Sequence, residues 1–291
     1  MKYLYSLFMI SLCAAGTAGA NGLPHVMKRA VADTDTTIAV RKRSLSAGVS
    51  YGSDALFFGR TGPITYPYMT IDMVYNTKSG FFVYGTALKL LGYPTLTDEI
   101  DLGGGYLYRF SKVYKISGSY NRFIFRDDER VIASASSNDI NIKNNFNWKL
   151  FQTSATFDYL FGKSADFFTT LNISKYYETS WSIFDDKDYL TVNPAVSAIL
   201  GTQNFVQRYS DDHIDRLAIN NVAIIGPNHV PAYNNGRFNM LNYSFKLPVA
   251  YNRPHYTLEF AYKYSIPVNV EGALKNKRES FYNLTFYYVF Y

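Results

Sequence analysis

The chain has 291 residues and a formal charge of +6, with 27 Tyr and 22 Phe against 2 Trp. The basic excess is spread along the chain rather than gathered into one stripe, which argues against a nucleic-acid partner. Tyrosine joins an apolar ring to a wet hydroxyl, so its dominance suits sheet surfaces and membrane interfaces.

Residues 1–20 read as a secretory signal peptide. Lys2 supplies the positive end, Leu4 to Ala15 the apolar stretch, and Ala18-Gly19-Ala20 the small-residue cleavage site. The stretch is too short for a spanning helix. Cys13, the single cysteine, lies inside it, and Leu12 before it is not the small residue a lipoprotein signal needs. Cleavage after Ala20 leaves a mature chain without cysteine, which excludes disulfides, iron–sulfur clusters and thiolate zinc sites. Residues 21–42 are polar and unpatterned, an N-terminal segment that is either disordered or folded inward as a plug.

From residue 43 to 291 the pattern is strand after strand, and no later stretch is apolar enough for a helical span. Leu45, Ala47, Val49 and Tyr51 alternate with Ser46, Gly48, Ser50 and Gly52. Ile100, Leu102, Tyr106 and Tyr108 stand against Asp101, Gly103, Gly105 and Arg109, and His255 to Ile266 repeats the scheme. Period two puts one set on each face of a sheet. The expected strands are 43–53, 66–76, 80–91, 99–110, 113–125, 146–161, 166–177, 188–200, 203–209, 238–250, 254–267 and 280–291. Short connections rich in Gly, Asn, Ser and Lys alternate with long ones at 53–65, 92–98, 126–145, 178–188, 210–237 and 268–279. Sorting of loops by parity is expected of a membrane barrel, whose periplasmic turns are short and extracellular loops long.

The last strand ends Asn283-Leu284-Thr285-Phe286-Tyr287-Tyr288-Val289-Phe290-Tyr291. It resembles the C-terminal strand of bacterial outer-membrane proteins, in which a terminal aromatic closes an amphipathic strand read by the assembly machinery. The cleaner apolar face here is Tyr282, Leu284, Phe286, Tyr288 and Phe290, which leaves Tyr291 off it; the even-numbered face is expected toward lipid. The resemblance implies an all-β, transmembrane, antiparallel up-and-down β-barrel of about twelve strands in the outer membrane of a Gram-negative cell. Both termini would be periplasmic, and the implied partners are outer-membrane lipid and the assembly machinery.

With the apolar sets outward, Asp72, Lys89, Asp101, Arg109, Lys115, Asp158, Lys246, Glu259 and Lys263 become the candidate lumen lining. They suit either a wetted narrow passage for small solutes or a plugged interior with acids and bases paired. Gly103-Gly104-Gly105 has no following helix or Lys, so it reads as a close-packing point in the wall rather than a phosphate cradle. Tyr209-Ser210-Asp211-Asp212-His213-Ile214-Asp215 is the densest acid–His cluster; omptin proteases use acid–His groups, but the flanking residues do not match them, and a solvated loop is expected. No catalytic residue, metal site or cofactor is expected. Three function classes stay open: a narrow channel, a partner-binding or structural barrel, and an outer-membrane hydrolase.

Overall fold

The computed structural model describes residues 43–126, 132, 136–206, 236–272 and 274–290. The signal peptide, segment 21–42, Tyr291 and the Asp211–His213 cluster lie outside them. The strands are β1 (Ser44–Gly52), β2 (Tyr68–Asn76), β3 (Phe81–Leu90), β4 (Glu99–Arg109), β5 (Tyr114–Phe125), β6 (Asn138–Asn147), β7 (Gln152–Phe161) and β8 (Ala165–Ser174). They continue with β9 (Tyr177–Glu178), β10 (Tyr189–Val192), β11 (Ala195–Gly201), β12 (Asn239–Asn252), β13 (Tyr256–Pro267) and β14 (Glu279–Phe290).

Neighbours along the chain pair antiparallel from β1 to β8, and again from β11 to β14. The ring closes where β8 meets β11 and where β14 meets β1. β9 prolongs β8, and β10 prolongs β11 across the interruption at Asn193-Pro194, where proline offers no N–H to the ladder. The long strand β12 pairs with both β10 and β11. Fourteen segments thus occupy twelve wall positions in one closed antiparallel barrel. Closure leaves no free edge, as a strand structure in hydrocarbon requires.

The two faces differ as the alternation predicts. Ile71, Met73, Val83, Leu102, Phe157, Val196, Leu258, Phe260, Leu284 and Phe286 are exposed on the outside. Between them Asp72, Thr86, Asp101, Asn121, Thr170, Ser197, Ser265 and Thr285 are buried inside. Tyr282, Leu284, Phe286, Tyr288 and Phe290 all face outward. An apolar outside around a polar inside is stable only in lipid, where a basic side chain at the midplane costs about 2–4 kcal/mol.

The chain departs from the expected strand list in two places. Asn138–Asn147 is a strand, β6, where a loop over 126–145 was expected. Gln203 to Val206 is not a strand; Asn204–Val206 are helical, with Phe205 and Val206 among buried apolar side chains. The loop parity changes with them. The tight turn 162–164 joins the end of the barrel opposite the chain termini, and the longer connection 175–188 joins the terminal end. There the Asp188 carboxylate accepts the N–H groups of Ile183 and Phe184 and the Tyr251 hydroxyl, and Asp185 pairs with Arg253.

Inward glycines receive rings from the neighbouring strand. A Cβ on Gly103 would stand 2.3 Å from Tyr84 Cζ, one on Gly105 2.6 Å from Phe82 Cζ, and one on Gly48 2.1 Å from Tyr287 Cε1. The glycine run of β4 is therefore a seat for rings laid along the wall.

Candidate functional site: a polar lumen beneath an apolar plug

The connection between β1 and β2 does not stay outside the barrel. Its tip is a two-residue hairpin, with Phe57 N–H donating to Arg60 O at 2.9 Å and Arg60 N–H to Phe57 O at 2.8 Å. Phe58 (φ 42°) and Gly59 (φ 78°) both take the left-handed conformation such a turn demands. At Gly59 the choice is also steric, since a Cβ would lie 2.4 Å from Asn242 Cβ. The turn carries Phe57 and Phe58 into a buried apolar cluster with Leu160, Phe168, Ile199, Phe205 and Leu241. Leu160, Phe168 and Ile199 project inward near the ends of β7, β8 and β11, so the cluster fills the mouth at the far end, opposite the chain termini.

Arg60 holds this plug in place. Its side chain is fully buried, and Nη1 donates to Leu241 O at 2.8 Å. Nη2 donates to Gln203 Oε1 at 2.8 Å, Val268 O at 2.7 Å and Asn269 O at 3.2 Å. Burial pulls the guanidinium down to about 10, with Glu271 acting the other way; it stays charged at neutral pH. Gln203 Nε2 donates to Asn269 O, so three far-end connections are tied at one point. Asp166 holds the helical turn beside them, accepting from Asn204 N–H, Phe205 N–H and the Thr202 hydroxyl. Below the turn tip, Asp54 accepts Tyr66 N–H at 2.7 Å and faces Lys275 Nζ at 3.8 Å, and burial raises its pKa.

Under the plug much of the inner wall is polar, while Val74, Phe82, Tyr84 and Leu107 form an apolar patch on β2–β4. Asp72, Glu99, Asp101, Asp139 and Asp158 line the β2–β7 side, all buried. Thr70 donates to Asp72, Asn121 to Asp139 and Asn141 to Asp158. Across the ring Ser265 donates to Asn242, and Thr285 to Ser50. Two pairs of inward bases are only half-buried. Arg109 faces Lys115 across β4 and β5, and Lys246 faces Lys263 across β12 and β13.

Of the nine lumen candidates, Asp72, Asp101, Arg109, Lys115, Asp158, Lys246, Glu259 and Lys263 stand at inward positions. Lys89 does not. It falls on the outward set of β3, where Phe82, Tyr84, Thr86, Leu88 and Leu90 point inward, and it bonds Tyr93 O and Thr95 while facing Asp98. Sequence reasoning missed Glu99 and Asp139, the first residue of β4 and the second of β6, and the whole plug. The signal for the plug was Leu56-Phe57-Phe58, an apolar triplet in a loop otherwise suited to water. No group of three or more His, Cys, Asp or Glu fit to hold a metal occurs among the described residues. His255 is a terminal-end residue stacked on Tyr288, with ring centroids 6.0 Å apart.

A sealed antiparallel ring with a lipid-compatible outside and a polar inside defines a membrane-spanning β-barrel of the bacterial outer-membrane type. No family model matches the chain, and no curated protein matches it. Among solved structures it is similar to the KdgM porin, at 8% identity over 84% of this chain and 99% of that one, with a TM-score of 0.48. It is similar also to the NanC porin, at 10% identity over 83% and 98% of the two chains, TM-score 0.47. An outer-membrane channel from Pseudomonas putida F1 shows 10% identity over 89% and 100%, TM-score 0.41. Function therefore has to be argued from the barrel itself.

Proposed function

We propose that the chain is an outer-membrane channel for small polar solutes, closed in this state at its extracellular mouth. The reading puts both termini in the periplasm and the plug outside. The observation that carries it is the buried polar set of the inner wall, Asp72, Asp101, Asp139 and Asp158 with Thr170, Ser197, Ser265 and Thr285, which ends at a loop packed into the mouth without being a strand of the wall. A barrel serving only as a scaffold gains nothing from buried carboxylates, each costly to dehydrate unless solvent or solute can reach it. The loop tether is non-covalent and can be displaced.

A second reading is a partner-binding or structural barrel, favoured by the apolar cluster that fills the mouth. Planar-bilayer recording separates the two. A channel gives brief conductance steps from the wild-type protein and long ones once Arg60 is replaced by Met. Silence from both proteins, each shown to be folded by heat-modifiable mobility, would leave the structural reading.

A further inference from the structure

Arg122 stands on the wrong face for a barrel residue. It belongs to the outward set of β5 with Ile116, Tyr120 and Ile124 and is exposed, the one charged side chain in that set. Its place along the strand explains how it is tolerated. It lies three residues before the end of β5 and directly opposite Asn138, the first residue of β6, at the far margin of the apolar belt.

The local hydrogen bonds leave a surplus of donors. Arg122 Nη1 and the Tyr120 hydroxyl both donate to Asn138 Oδ1, at 3.0 and 2.7 Å. Asn138 Nδ2 is spent on Phe161 O at 3.2 Å. The asparagine oxygen is thus doubly occupied, and the register neighbour of Arg122 on the other side, Leu102 of β4, offers no side-chain acceptor. A guanidinium carries five N–H donors and no acceptor. Among the described residues Asn138 is the acceptor for Arg122, which leaves further guanidinium donors exposed on the outer face. Arg126, also exposed, follows four residues on, just past the end of β5, so a second cation lies closer to the far end.

We infer that Arg122, backed by Tyr120 and Asn138, binds the phosphate of a phosphorylated glycolipid headgroup in the outer leaflet, with Arg126 adding positive charge above it. The inference rests on the outer-membrane reading, which makes the far end the outer-leaflet side. A phosphate borne on a lipid fits because the guanidinium sits at the lipid margin, outside the lumen that dissolved solutes enter. Paired N–H donors match phosphate oxygens in geometry and charge.

The test uses the full-length mature protein in detergent, titrated with bis-phosphorylated lipid A or its dephosphorylated form and read by native mass spectrometry. Wild type is expected to retain the phosphorylated lipid about tenfold more than the dephosphorylated one, as a charge-assisted pair implies. Arg122→Gln is expected to lose that preference, Arg122→Lys to keep part of it, and Arg253→Gln at the opposite end to keep all of it. Inorganic phosphate at millimolar concentration is expected not to compete. Equal retention of both lipids by folded wild type, competition by free phosphate, or a dimer that dissociates on Arg122→Gln would each overturn the inference. Failure to show heat-modifiable mobility would instead sink the membrane-barrel reading beneath it.

Discussion

Phe58 lies face to face on Phe168, with ring centroids 3.7 Å apart and planes within 8° of parallel. One ring belongs to a connection between strands, the other to the barrel wall, and Phe57 braces both edge-on. The contact is what converts a surface loop into a stopper. Phe58→Ala is expected to cost about 3–5 kcal/mol of local stability, the usual range for a buried Phe. Because the loss falls on the plug rather than the ring, it should appear as longer open times in bilayers and faster protease nicking within residues 53–67. The mobility midpoint of the barrel itself should shift little.

Arg60 makes a sharper test, since four acceptors meet it. Arg60→Met removes the guanidinium and strands Val268 O and Gln203 Oε1, each worth about 1–3 kcal/mol when left without a partner, whereas Leu241 O keeps the Val268 N–H and Asn269 O keeps the Gln203 amide. The expected outcome is loss of the closed state at neutral pH, measured as a rise in open probability. Arg60→Lys should recover only part of the closure, because one ammonium cannot reach acceptors arranged around a planar fork.

The seat of Tyr84 on Gly103 predicts a non-additive pair. Gly103→Ala puts a methyl 2.3 Å from Tyr84 Cζ and should reduce folding yield into vesicles. Adding Tyr84→Ala removes the collision with the ring and leaves the one with Asn121 Oδ1, also 2.3 Å away, at the end of a short side chain that can turn aside. Urea unfolding of both single variants and the double should therefore give a coupling of about 1–3 kcal/mol, positive for the double variant. Additive losses would show that the ring moves aside without cost.

Asp54 sets a pH dependence for the plug. Its folded pKa is raised above the ordinary 3.8 by burial, with the Tyr66 N–H and Lys275 opposing. A folded state that binds the proton more tightly has its full stability below the unfolded value and loses it as pH rises through the raised one. Protease resistance of the plug is expected to fall from pH 4 toward pH 7 in wild type. Asp54→Asn, which can still accept the Tyr66 N–H, should flatten that trend and resist better at pH 7.

The parts of the fold legible in the sequence are those that lipid enforces. β13 and β14 present unbroken outward rows because any polar side chain there meets hydrocarbon. β6 escaped because Asn144 occupies an outward position and Asn138 another. Each is satisfied locally, Asn144 Oδ1 by the Tyr114 hydroxyl at 2.8 Å and Asn138 by its two donors. A polar residue whose partner lies on the neighbouring strand looks like loop when strands are read one at a time. The segment Gln203 to Val206 misled in the opposite sense. Phe205 and Val206 are apolar because they pack under Phe57, not because they face lipid. Lys89 shows the remaining gap: its charge suggests the lumen, but it stands on the outward set of β3, held by Asp98, the Tyr93 carbonyl and Thr95.

The seam between the first and last strands places Tyr287 directly across from Gly48, and that pairing works as a ruler. Sliding β14 by two residues keeps every oily side chain outward, so lipid would not object to the error. The same slide sets the tyrosine ring against Ser46 or Ser50, whose side chains fill the space that glycine leaves empty. The bilayer decides which face is which; one missing methyl decides where the circle is allowed to meet.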